Sequence, residues 1–387
     1  MKKNNILIAS AATGDYFLKP EIDFENFKRI YAHDVTFVEN PKGLPYDGKV
    51  NITPGEASEK EFLSFLRKYN ERVSPGGGGR NSAEILKREG FDVFYFDTSK
   101  KPEFDLLVGN NVYHADMAEA PRALVFKTAA GTLNLRSLRG DKERMLPDKF
   151  KRDLVGMLAT GMDCFVNSIS NEDLAVNIAR NARGGLYTLI TDHIPRGSWR
   201  MHELIQRSNS LFFSYADFYT FSELNPRGNK DQTMDVNVTS KIADDIAIFA
   251  KERALNSPVF VTLGKNGAIA HDPTLSREGS FRVYLDPKEE VKLKKYMDEK
   301  GIGTNKSGDT FAAKVIDNVT NGMTMLEAVK DATMFVIKNL YRYDTNSKNI
   351  KVDIFDPPIY PEDIKNRIVG DVHTLEHSKY PEYDVLN

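Results

Sequence analysis

Thr304-Asn305-Lys306-Ser307-Gly308-Asp309-Thr310-Phe311-Ala312-Ala313 joins a small, turn-prone approach to an aspartate and then to a helix. Phe311, Val315 and Val319 fall on one face of that helix, and Asn321-Gly322 stops it. The N–H groups of a helix's first turn point outward without intrahelical partners, and the helix dipole favours negative charge there. A phosphoryl group in transfer needs such a cradle, together with a carboxylate that takes the proton of the attacking hydroxyl. Asp309 is placed for that task. Read alone, the segment is equally an ordinary aspartate capping a helix.

A second segment, Pro75-Gly76-Gly77-Gly78-Gly79-Arg80-Asn81-Ser82-Ala83, opens a helix through Ile85, Leu86 and Lys87. Consecutive glycines let a backbone approach a ligand closely, and Asn81 offers a polyol both a donor and an acceptor. Taken alone, the run is a flexible turn. It is not a Walker loop, because no Gly-Lys-Ser/Thr follows.

Around these segments, short β-rich apolar runs alternate with amphipathic ones, the pattern of a largely parallel sheet flanked by helices. Strands are expected at Ile6–Ala9, Val93–Phe96, Ala123–Phe126, Leu186–Thr191, Leu211–Ser214 and Val259–Leu263. Helix signals include Phe62, Phe65, Leu66 and Tyr69 on one face, and capping boxes at Ser170/Asp173 and Thr324/Glu327. Three regions break the alternation. Residues 33–58 are rich in Pro, Gly, Asn and Asp, as in hairpins standing off a main body, and 285–300 form a charge-dense solvated helix or loop. From Thr345 the proline-bearing tail reads as an extended surface strap or a partly disordered end.

The 387 residues are 41% hydrophobic, with 53 basic against 55 acidic side chains and a formal charge of −2. No basic field is available for a nucleic acid, and no apolar stretch approaches a membrane span. The single Cys164 lies in the apolar run Asp163-Cys164-Phe165-Val166 and reads as a packed strand residue, suited to a reducing, cytoplasmic compartment. Ile6 to Ala12, after Met1-Lys2-Lys3, reads as a buried first strand rather than a signal sequence. His373, Glu376 and His377 lack a convincing third metal ligand, and Arg136, Arg139, Lys142 and Arg144 read as a solvated loop.

Taken in order over residues 5–340, the motifs resemble the ribokinase-like (PfkB-type) family of carbohydrate and nucleoside kinases. Asn5 to Asp15 resemble its first strand and substrate-binding aspartate, and Gly76 to Asn81 its Gly-Gly-x-Gly-x-Asn motif. Asp192 to Trp199 resemble its Asp-Pro-Asn-x-Arg segment, and Thr220-Phe221-Ser222-Glu223 its Asn-x-x-Glu. Val261 to Ala268 resemble the strand and turn beside the nucleotide, and Ser307 to Phe311 the signature of anion hole and base. Three positions depart: Lys306 stands where the family has a small residue, Thr220 where it has Asn, and His193-Ile194 where it has Pro-Asn.

The resemblance implies a doubly wound α/β fold with a mostly parallel sheet, helices on its faces and a small β lid. Residues 1–12 and 59–344 would form the core, with lid strands also from about 105–135. Residues 13–58 would form the lid, and 345–387 a C-terminal strap or extension. It implies ATP and Mg2+, with γ-phosphoryl transfer to a hydroxyl of a sugar or sugar derivative. A nucleoside kinase on the same scaffold and a catalytically silent ligand-binding regulator remain the alternatives. The implied catalytic set is Asp309 as base with Gly308, Ser307 and Lys306. Asp15, Gly76, Gly77 and Asn81 would hold substrate, and Thr262, Gly264 and Gly267 the nucleotide. Glu223 would act on the metal through water. The expected partner is a small-molecule sugar or nucleoside, with no nucleic acid and no membrane; a homodimer through the lid stays open.

Overall fold

A computed structural model describes residues 5–10, 13–19, 35–38, 49–54, 68–98, 111–115, 122–128, 131–137, 146–167, 171–190, 199–228, 233–253, 255–273, 279–300, 302, 306–358 and 360. In chain order the strands are β1 (Asn5–Ser10), β2 (Thr13–Leu18), β3 (Val35–Val38), β4 (Lys49–Pro54), β5 (Asn70–Gly76), β6 (Asp92–Asp97), β7 (Val112–His114) and β8 (Arg122–Thr128). There follow β9 (Gly131–Ser137), β10 (Asp163–Asn167), β11 (Leu186–Ile190), β12 (Ser210–Ser214), β13 (Val259–Thr262), β14 (Ala268–Asp272), β15 (Gly279–Leu285) and β16 (Ile350–Phe355). The α-helices are α1 (Gly78–Arg88), α2 (Asp148–Ala159), α3 (Glu172–Asn181), α4 (Trp199–Arg207), α5 (Tyr215–Ser222), α6 (Val236–Glu252), α7 (Pro287–Lys300), α8 (Ser307–Thr320) and α9 (Met325–Phe335).

Ten strands form the main sheet in the order β16-β15-β14-β13-β12-β11-β10-β1-β6-β7. From β7 to β13 all neighbours are parallel, whereas β13 to β16 run antiparallel. Parallel strands covered on both faces carry continuous apolar runs, and Ile6, Leu7, Ile8 and Ala9 of β1 are all fully buried. Alternate side chains divide between two cores. Ile6, Ile8, Phe165 and Phe260 meet Phe311, Ala312, Val315 and Ile316 of α8 together with residues of α1 and α9. Leu7, Ala9, Cys164 and Val166 meet residues of helices α2 to α6 on the opposite face. Cys164 is buried as its strand context requires, and burial pushes its thiol well above the usual range, so it stays an unreactive protonated side chain.

Six strands form a second sheet, β3-β4-β9-β8-β2-β5. It grows from the C-terminal end of β1, where the chain passes into β2, and returns through β5 directly into α1. Residues 70–76, within the 59–344 span that the sequence reading gives to the core, lie in this second sheet. Asn70-Glu71-Arg72-Val73-Ser74-Pro75-Gly76 has no apolar run to bury on two faces, and it pairs with β2 at the edge of the second sheet. The tail also differs from a strap over part of its length. Ile350–Phe355 is hydrogen-bonded to β15 as the edge strand of the main sheet, with Ile350 and Phe355 buried as anchors. Pro357-Pro358 follow it, and residues 361–387 lie outside the described residues.

The charge-dense insert is the helix α7. Thr324 and Glu327 form the expected reciprocal capping box, whereas α3 is capped by Asn171, whose side chain accepts from Leu174 N. Among the described residues, no helix is long and apolar enough to cross a membrane.

Candidate active site

The C-terminal ends of the parallel strands form one rim of the sheet, where open α/β folds bind ligands. Ser10 ends β1, Asp97 ends β6, Asn167 ends β10 and Thr262 ends β13. Two helix N-termini converge on this rim. Gly77, at φ 93°, turns the chain from β5 into α1, a left-handed conformation that glycine adopts without a Cβ clash. A Cβ on Gly78 would lie 2.4 Å from Asn167 Oδ1 and 2.6 Å from Asp309 Oδ1, so the start of α1 can reach the site only as glycine.

Asp309 lies in the first turn of α8, and the N-cap position belongs to Lys306, which makes no side-chain cap. Both carboxylate oxygens are held by amides. Asn81 Nδ2 donates to Asp309 Oδ2 at 3.0 Å, and Asn167 Nδ2 donates to Oδ1 at 3.2 Å. Asn167 also donates to Ser82 Oγ at 3.0 Å, whose own proton reaches Gly78 O at 3.1 Å. The carboxylate is thereby fixed in orientation, yet it remains only half-buried and open to a ligand. Asn81 Oδ1 is buried with no hydrogen-bond partner among the described residues, an acceptor left for a hydroxyl donor. At the start of α8, Lys306 holds φ 75°, a left-handed conformation that strains a side chain with a Cβ. Tyr341 places its phenol against the Ser307 side chain, and burial pushes that phenol up, so it remains a donor.

On the same rim, three strands from β10 and therefore about 14 Å away, β13 ends in a tight turn. Leu263 N donates to Gly267 O at 2.7 Å, closing a 3-10 turn over Gly264–Asn266. Gly267, at φ 90°, lies so close to β15 that a Cβ would stand 2.0 Å from Val283 O. Gly264 is exposed, and Thr262 Oγ1 donates to Phe213 O at 3.4 Å. Glu223 follows α5 in a left-handed conformation at φ 62° with its side chain exposed. Among the described residues, it makes no hydrogen bond to the Asp309 cluster. Thr220 is buried, and its hydroxyl has no partner there.

Of the residues expected from sequence, Asn81, Asp309, Ser307, Gly308 and Lys306 meet or adjoin at the two helix N-termini. Gly76 ends β5 opposite Thr13, and Gly77 begins the turn into α1. Asp15 lies on β2 opposite Ser74 and Ala123; its side chain is outside the described residues, as is the 192–198 segment. Asn167, Ser82 and Tyr341 were missed by sequence. For Asn167 the available signal is a lone polar residue closing the apolar run of β10. Among the described residues, no group of three His, Cys, Asp or Glu side chains is arranged to hold a metal.

The architecture is the ribokinase-like fold. Adenosine kinase from Anopheles gambiae, solved with a di-adenosine tetraphosphate, matches 89% of this chain and 100% of its own at TM-score 0.62 and 12% identity. Adenosine kinase from Schistosoma mansoni, solved with 2-fluoroadenosine, matches 90% of this chain and 99% of its own at TM-score 0.57 and 14% identity. Ribokinase from Arabidopsis thaliana, solved with ribose and ATP, matches 92% and 96% at TM-score 0.54 and 12% identity. No protein-family model and no curated protein sequence matches the chain. At such identities the likeness is one of fold, and it covers nearly the whole of each neighbour.

Proposed function

We propose that the protein is an ATP-dependent kinase that transfers the γ-phosphoryl group to a hydroxyl of a sugar or sugar derivative. The observation that carries this reading is the Asp309 carboxylate, held by the Asn81 and Asn167 amides at the first turn of α8. A base oriented by fixed donors beside a helix N-terminus can take a hydroxyl proton while the first-turn N–H groups face the charge of the transferring group. Asn81, with one amide group on Asp309 and a buried acceptor still open, is suited to align an acceptor hydroxyl with that base. Asp15, Gly76 and Gly77 complete the acceptor side in this reading.

The Gly264–Gly267 turn and Thr262 supply the nucleotide side, and Lys306 lies where its ammonium can meet the β- or γ-phosphate. The donor set fits magnesium carried chiefly on phosphate oxygens. Asp309 is engaged by two amides, while the exposed Glu223 is available to act through water. The ion would neutralise charge on the phosphates during transfer. A nucleoside acceptor is the second reading, supported by the two adenosine kinases among the structural neighbours, each matched over nearly its whole length.

The test is ATP consumption by the purified protein across a panel of sugars and nucleosides. Turnover with a sugar supports the first reading, and turnover with a nucleoside alone supports the second. Binding of either without turnover would leave a ligand-binding regulator on a kinase scaffold.

A further inference from the structure

Arg282 is a buried guanidinium in the middle of β15, with its side chain 6% exposed. Burying a cation is costly unless it is paired and hydrogen-bonded, and here the partners are specific. Arg282 Nε donates to the backbone oxygen of Asn266 at 2.9 Å, and Nη1 donates to Met234 O at 3.4 Å. Asp353 of β16 stands 3.7 Å away, and the Tyr284 ring packs against the guanidinium at 4.2 Å. Asn266 closes the joint from the other direction, since its Oδ1 accepts from Met234 N at 2.9 Å. One arginine of β15 therefore ties the Gly264–Asn266 turn to the residues leading into α6 and to the edge strand β16.

On this side the turn borders open space. A cavity of about 260 Å³ opens beside it, lined by Met234, Lys265, Asn266, Arg282, Tyr284 and Asp353 among others. Two directional bonds reach the turn here, from Arg282 Nε to the Asn266 carbonyl and from Met234 N to Asn266 Oδ1, and they set its orientation in a way that apolar packing does not. On its other flank Gly267 rests against the Val283 carbonyl, so β15 seats the turn through two successive residues.

We propose that Arg282 is a positioning residue for nucleotide binding, which fixes the Gly264–Gly267 turn in the geometry that meets ATP. The inference rests on the kinase reading, in which that turn belongs to the nucleotide side. Arg282 itself touches no substrate; it acts through the Asn266 carbonyl. Lysine is a poor replacement, because a single ammonium cannot present the planar fork that reaches two carbonyls at once.

The experiment compares the wild-type protein with Arg282→Met and Arg282→Lys by ATP calorimetry, steady-state kinetics in both substrates and thermal melting. In Arg282→Met, Kd and KM for ATP should rise about tenfold or more, while kcat and the acceptor KM stay within about twofold. Arg282→Lys should fall between, near threefold. ATP affinity equal to wild type in Arg282→Met overturns the inference. So does an equal loss for ATP and acceptor that tracks the melting temperature, the mark of a purely structural role. Should the methionine variant fail to fold, unchanged ATP affinity in the lysine variant overturns it alone. Failure of the wild-type protein to bind ATP is a separate result: it removes the kinase reading, and this inference with it.

Discussion

Asn81 and Asp309 stand 228 residues apart in the chain, yet the Asn81 amide donates to the Asp309 carboxylate at 3.0 Å. That bond joins the first turns of α1 and α8, so Asn81 and the Asp309 carboxylate are held as one unit. With Asn167 on the other oxygen, the carboxylate has little freedom to rotate away from an incoming hydroxyl. Preorganisation of this kind removes a reorientation that would otherwise accompany proton transfer.

Asp309→Asn keeps the shape of the side chain and removes the base. Asn81 can turn its amide to meet the new donor, so the fold should survive. Turnover should fall about 10²–10⁴-fold with ATP affinity little changed, the usual range for loss of a general base. Steady-state kinetics with nucleotide calorimetry reads both quantities. Turnover within a few-fold of wild type would exclude Asp309 as the base.

Asn167 offers a test that a structural residue would not pass. Asn167→Asp sets a second carboxylate against Asp309, where an amide now donates at 3.2 Å. Two neighbouring carboxylates resist sharing two negative charges, so the upper macroscopic pKa of the pair rises. The base acts only when ionised, so activity must be lost at a higher pH than in the wild type. The acid limb of the kcat/KM profile should move up by about 1–2 pH units. Asn167→Ala, which only removes a donor from the carboxylate, should lower kcat with a smaller displacement. An unmoved limb in Asn167→Asp would show that Asp309 is not the group titrating in catalysis.

The parts of this site that could be read from sequence were those encoded locally. Ser307 to Phe311 announce themselves because a small-residue approach, an acid and an apolar helical face sit within one short window. Gly76 to Asn81 do so through the glycine run. Asn167 gave no comparable sign, since its role arises only when β10 is laid beside β1 and α8 closes over the rim. The second sheet was half legible: the 33–58 hairpins signalled it, but β5 is polar and short of landmarks, and pairing partners are set by tertiary contacts. The edge strand β16 was hidden by the prolines that follow it, because its two buried anchors, Ile350 and Phe355, look sparse beside them. Nothing local marks Lys306 as left-handed. Its conformation is imposed by the turn into α8.

His202, on α4, gives the fold a dependence on pH that is separate from the site. Burial and the nearby Arg253 lower its pKa to about 4, with Arg253 Nη1 at 2.7 Å from Nδ1. In the unfolded chain the ring titrates near 6.5. Between these values the unfolded state binds a proton that the folded state refuses, so stability is complete above about pH 6.5 and falls as pH drops toward 4. At pH 5 the loss from this group should be about 2 kcal/mol. His202→Gln removes the titration. Urea unfolding at pH 7 and pH 5 should show a smaller loss in the variant than in the wild type, and equal losses would exclude His202 as the source.

Lys306 poses the sharpest test, because conformation and chemistry pull in opposite directions. At φ 75° its backbone occupies a region that costs a residue bearing a Cβ about 1–2 kcal/mol and costs glycine almost nothing. Lys306→Gly relieves that strain, and part of the gain is returned through the greater freedom of glycine in the unfolded chain. A net stabilisation of up to about 1 kcal/mol is expected. A strained residue at the start of α8, where the kinase reading places the phosphates, points to a function for its side chain. The ammonium can swing beside the β- or γ-phosphate, where charge attraction in a partly desolvated site outweighs the entropy of ordering one side chain. Lys306→Gly should therefore raise the melting temperature while lowering phosphoryl transfer, a split that neither a neutral nor a purely structural residue produces. If the glycine variant instead gains ATP-dependent activity along with stability, the lysine is a block on the cradle. The native protein would then act as a ligand-binding regulator, with Asp309 held ready for a reaction that Lys306 prevents.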